Sequence, residues 1–217
     1  MSDIFQEVNE EVRRERMKQL WERYGNLIVV IAFLIVGGVA GWRGYEWWEA
    51  RKAAEAGATF EAAAALAAEG KHEQAEAAFA KIAVEGTSGY RILARFREAA
   101  ELALRDPAAA IKAYDALIAD SAIGRAMQDL ATVRAGLLLA DTAPYDEVRA
   151  RLEPLTANDR PFRHTAREIL ALAAWRVGDH KAATHWFDLI MTDAETPAGT
   201  RARVEMLIAL SAADGKG

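Results

Sequence analysis

Residues 72–82 read HEQAEAAFAKI, and their pattern returns as PAAAIKAYDAL at 107–117, YDEVRARLEPL at 145–155 and HKAATHWFDLI at 180–190. Each segment sets a small or branched residue, a large one and an aliphatic one at i, i+4 and i+7. The four sets are Ala75, Phe79, Ile82; Ala110, Tyr114, Leu117; Val148, Leu152, Leu155; and Ala183, Phe187, Ile190. That spacing places each set on one face of a helix. The lead residues stand 35, 38 and 35 positions apart, a period that belongs to stacked helical hairpins.

The turns keep the same register. Gly70 and Gly178 each precede their lead residue by five positions, where a left-handed turn favours glycine. Three before the lead stand His72, Pro107, Tyr145 and His180. Asp106-Pro107 reads as an N-cap followed by proline at the first helical position, and Pro161 and Thr196-Pro197 punctuate later units. The composition between them is alanine-rich, with almost no strand alternation. The fold class is therefore all-α. A single transmembrane helix leads into a helical-hairpin solenoid of about four pairs, closed by a capping helix. That cap falls at about 198–213, with Val204, Leu207, Ile208 and Ser211 along one face.

Upstream lies a stretch of another kind: Gly25, Asn26, Leu27, Ile28, Val29, Val30, Ile31, Ala32, Phe33, Leu34, Ile35, Val36, Gly37, Gly38, Val39, Ala40, Gly41 and Trp42. It holds no charge, and as a helix these residues span roughly 27 Å, the hydrocarbon thickness of a bilayer. Trp21 and Tyr24 flank one end, and Trp42, Tyr45, Trp47 and Trp48 the other, as interfacial belts do. A buried core helix would show a polar stripe, which is missing here. A cleaved signal peptide is the other competing reading, because Gly38-Val39-Ala40 before Gly41 resembles a cleavage site. The six acidic residues within 1–24 argue against it. Arg13, Arg14, Arg16, Lys18 and Arg23 precede the span, against Arg43, Arg51 and Lys52 after it. This bias predicts a cytoplasmic leader at 1–24, an anchor at 25–42 and an external domain at 43–217.

In the leader, Ser2 is a candidate cap. Ile4, Phe5, Val8 and Val12 form an apolar stripe, continued by Met17, Leu20, Trp21 and Tyr24. It reads either as an interfacial or partner-binding helix or as a solvated leader that holds the anchor in place. Gly37 and Gly41 form a G-x-x-x-G, either a helix-packing face or incidental glycine. A homodimer stays open.

The net charge of −5 offers no basic surface for nucleic acid, and the absence of cysteine excludes disulfides and thiolate chemistry. His180 and His185 are five apart and share no helix face, unlike paired metal ligands. His72 and His180 sit at a packing position of the turn. No phosphate loop, nucleophile elbow or triad is present. The sequence therefore predicts no enzyme, no catalytic residue, no cofactor and no metal. A protein-binding groove is what remains, lined on the repeat register by Phe60, Arg95, Leu102, Leu137, Glu168, Trp175 and Arg176. For each residue alone the competing role is packing or solvation, with Trp175 against Trp186 or its neighbours.

The period and the matched positions resemble the tetratricopeptide repeat over roughly 56–195. Gly136 alone holds the glycine position of that family's first helix, and Arg105 and Ala143 replace two turn glycines. The layout as a whole resembles a bacterial family, the ancillary subunit of the SecYEG translocon. The leader SDIFQEVNEEVRRER, the membrane entry LWERYGN and the exit GWRGYEWW carry the likeness. The resemblance implies a single-pass inner-membrane protein with a periplasmic repeat domain. It would stand beside the Sec translocon and pass emerging polypeptides to periplasmic chaperones. Two other roles compete with this: a holdase, and a regulatory scaffold for a signalling or cell-envelope protein.

Overall fold

A computed structural model describes the backbone of residues 3–214 and the side chains of 18, 21–27 and 29–209. The described residues are helical or in turns, with no strand. The helices are α1 (Asp3–Ala68), α2 (His72–Glu85), α3 (Ser88–Leu102), α4 (Pro107–Ile118), α5 (Arg125–Ala140), α6 (Tyr145–Leu152), α7 (Arg163–Arg176), α8 (His180–Thr192) and α9 (Ala198–Asp214). Short 3-10 turns lie at Ser121–Ile123 and Glu153–Leu155. The chain divides into two units, Met1–Glu55 and Ala56–Gly217.

In the first unit α1 is long and apolar enough to cross a membrane. The described side chains from Asn26 to Glu55 are exposed, Phe33, Ile35 and Trp42 among them. Beyond Trp42, cations sit over aromatic faces one turn back. Lys52 Nζ is 3.8 Å from the Trp48 ring and the Arg51 guanidinium 5.7 Å from that of Trp47. Ser2 and the side chains of Ile4, Phe5, Val8, Val12, Met17, Leu20 and Ile28 lie outside the described residues.

The second unit is built on the repeat register. All twelve register residues are buried, none more than 5% exposed. The larger of them, such as Phe79, Leu117, Leu152 and Ile190, each contribute about 1.5–3 kcal/mol on burial. All but Ala110 fall into three successive clusters. Ala63, Ala75, Phe79, Ile82 and Ala94 form the first, and Tyr114 and Leu117 meet Ala99, Ile123, Ala131 and Ala135 in the second. The third gathers α6, α7 and α8 around Leu152, Leu170, Phe187 and Ile190, with Val204 of α9. Within the cap, Leu207 packs against this cluster, whereas Ile208 is exposed and the side chain of Ser211 lies outside the described residues.

The turns follow from local chemistry. Gly70 and Gly178 both adopt φ of 76°, and the two turns close alike. Lys71 N donates to Leu66 O at 2.9 Å and Asp179 N to Ala174 O at 3.0 Å, the six-to-one bond of a glycine-terminated helix. Asp106 caps α4, accepting from Ala109 N at 2.9 Å. Asp179 caps α8 in the same way, accepting from Ala182 N at 3.0 Å.

Two features depart from the simple pattern. The third second-helix is short, and α6 ends at Leu152 where Pro154, with no N–H to give, turns the chain into a 3-10 segment. Leu155 is buried nonetheless. Gly124, with φ of 79°, makes a third left-handed turn before α5.

Candidate protein-binding surface

The residues placed on the inner surface by the repeat register come from four helices. No hydrogen bond, ion pair or ring contact joins any two of them among the described residues. Phe60 of α1 is half-buried, its ring 5.2 Å from Phe79 and 5.6 Å from Tyr90. On α3, Arg95 Nη1 donates to Asp120 Oδ2 at 2.6 Å, and Leu102 is half-buried. Leu137 of α5 is 48% exposed and faces solvent.

On α7, Glu168 accepts both donors of the Arg203 fork, Nε at 2.7 Å and Nη2 at 2.9 Å. Trp175 packs against the third cluster, which contains Trp186, and meets His180 edge-on at 5.0 Å. Arg176 Nε donates to Ala140 O at 2.8 Å, and its Nη2 bonds Ala143 O. Arg176 thereby satisfies the last carbonyl of α5, which a helix end leaves open, and one in the turn that follows.

His72 departs from the packing role. Its Nδ1 is 2.8 Å from Oε2 of Glu101, a buried carboxylate that also meets Arg97 at 3.4 Å. Among the described residues no three His, Asp or Glu side chains stand close enough to hold a metal ion.

Periodicity did not reveal the ionic clasps between elements. Asp193, at the end of α8, accepts from Arg163 Nε and Arg167 Nη1, each at 2.9 Å, and Arg163 also pairs with Glu195. Arg163 holds the Asp193 carboxyl far below the usual carboxylate range, and the Arg95 hydrogen bond lowers Asp120. Burial pushes His164 down and Glu98 up. Arg160 Nη2 donates to buried Asp129 at 2.7 Å, and Arg151 pairs with Asp115 at 2.5 Å. A faint signal existed. The hydrogen-bonded charged pairs that join separate elements lie 25 to 36 residues apart, about one repeat.

Such a surface offers contact area, exposed leucine and fixed arginines, the ingredients of protein recognition. Residues 18–206 match the model of a family described as the tetratricopeptide repeat-like domain, a range that takes in the apolar stretch of α1 and all four register segments. No curated protein and no solved structure matches the chain.

Proposed function

Because this chain belongs to the tetratricopeptide repeat-like domain family, we propose that it is a membrane-anchored, non-enzymatic adaptor that binds other proteins through its repeats. One observation carries the reading. A single helix, α1, holds both an apolar stretch long enough to cross a membrane and, in Phe60 and Ala63, the start of the first repeat core. Repeat families of this kind act by presenting surface. In its finer form the reading places the anchor in a bacterial inner membrane, the leader in the cytoplasm and residues 43–217 in the periplasm. There the protein attends the Sec translocon and passes translocated chains to chaperones. The leader and the two membrane edges support that form by their likeness to the translocon's ancillary subunit.

The absence of cysteine makes topology the direct test. Ser88, exposed at the start of α3, and Ser2 each receive a cysteine. A membrane-impermeant maleimide is then added to cells with a permeabilised outer membrane. Labelling of Ser88→Cys alone supports the periplasmic adaptor. Labelling of Ser2→Cys alone reverses the topology and ends the translocon-exit role. Co-purification with translocon subunits in mild detergent, lost when residues 25–42 are replaced by an unrelated span, tests the association itself.

A further inference from the structure

The turn that joins α8 to the capping helix α9 is braced by one histidine. His164, on the first turn of α7, has a side chain 12% exposed, and its Nδ1 lies 3.2 Å from Thr196 Oγ1. That hydroxyl gives its single proton to Ile190 O at 2.7 Å, so it accepts from Nδ1–H of the histidine. Thr196 is itself buried. The ring thus ties α7 to the residues from which α9 starts.

The cap depends on that turn, because it has little core of its own. Among its described residues Thr200 and Val204 are buried and Leu207 is half-buried, while Met206 and Ile208 face solvent. Its polar ties converge on the same turn. Arg201 donates to Met191 O at 2.8 Å and to Asp193 O at 3.0 Å. The Arg203–Glu168 pair adds one tie to α7, with the arginine largely in water.

The surroundings of His164 are set against a second ring proton. Arg163 and Arg167 of α7 are on one side of the balance, and Asp193 and Glu195 of the turn on the other. Asp193 Oδ2, 3.8 Å from Nδ1, is already shared by both arginines. Burial holds the histidine below its ordinary value, Arg163 and Arg167 adding to the effect and Asp193 and Glu195 opposing it. Displacing the turn would return the ring to water, where it takes the proton readily.

We propose that protonation of His164 releases the 193–197 turn and α9 from the end of the repeats, so that the cap is a latch opened by mild acid. The helices α2 to α8 keep their places, and opening bares the apolar seat that Val204 fills in the third cluster. The sign follows from linkage. The open form binds the extra proton, so opening gains as pH falls below about 6.5, by at most about tenfold between pH 7.5 and 5.5. The latch lies within the second unit and depends on neither the membrane topology nor the adaptor reading.

The test is amide exchange read by mass spectrometry on the full chain in detergent micelles, at pH 7.5 and 5.5, corrected for the intrinsic pH dependence of exchange. Protection of α9 should fall several-fold, up to about tenfold, while that of α2 and α3 stays constant. His164→Asn keeps an N–H near the place of Nδ1 but does not titrate, so its α9 should be equally protected at both pH values. Circular dichroism checks that this variant folds, and His164→Gln replaces it if it does not. The proposal is overturned by α9 protection that is absent at both pH values or unchanged between them. A loss spread evenly over all helices, or one that persists in the folded variant, overturns it as well.

Discussion

At Gly136 a hydrogen stands where any other residue would set a carbon 2.6 Å from Leu152 Cδ2 and 2.8 Å from its Cγ. Leu152 is fully buried, so it has no room to retreat. Gly136→Ala should therefore cost about 1–3 kcal/mol in denaturant unfolding, as overpacking does. Adding Leu152→Val should recover part of that loss, and a double variant as unstable as the sum of the two would refute the steric account. Arg160 and Asp129 are coupled by charge instead. Their side chains are 13% and 7% exposed, so Arg160→Ala leaves a carboxylate buried and unpaired. The same unfolding experiment should register a loss of about 3–5 kcal/mol, whereas removing both charges with apolar residues of similar size should cost much less.

At the scale of elements, α7 and the end of α8 are held by groups that respond to acid. Asp193 has a depressed pKa in the folded state, so the unfolded chain binds its proton first. Its contribution is complete above the unfolded carboxylate value, about 4, and fades as pH falls below it. His164 is lowered by burial, with Arg163, Arg167, Asp193 and Glu195 around it. Its neutral form is favoured by folding, so stability starts to decline as pH drops through about 6.5. Urea midpoints across this range should fall in two stages. His164→Gln should remove the upper stage and Asp193→Asn the lower, and an unchanged profile in both variants would discount the network. The sequence made these helices legible but not their clasps. Ala183, Phe187 and Ile190 declare a helix face because burial repeats with the turn of the helix. Arg163 and Asp193 meet only once two helices have been placed, so no local pattern marks them. Phe60 illustrates the same limit at the candidate site: the register located it, but the register could not say that Phe79 and Tyr90 would close around its ring. The register ran through Pro154 as if the helix continued, and Leu155 stayed buried because one 3-10 turn carries it to nearly the same face.

For the repeat unit as a whole, the three separate clusters make stability additive along the chain. Each is sealed by neighbours in sequence, as in quasi-one-dimensional folds. Val204→Asp places a charge in the third cluster, where Val204 is fully buried. Amide exchange should then rise across α7, α8 and α9 while the amides around Phe79 remain protected. Loss of protection throughout would mean that the clusters do not act separately.

The same partition sets an order of manufacture. The buried residues of the first cluster run from Ala63 to Ala94, those of the second end at Ala135, and those of the third begin at Val133. A chain emerging amino-terminus first can thus close each core on residues already made, without holding apolar surface open for a distant strand or domain. Emergence and folding can proceed in step, and a chain exposed only as far as Ala94 already carries every buried residue of its first core.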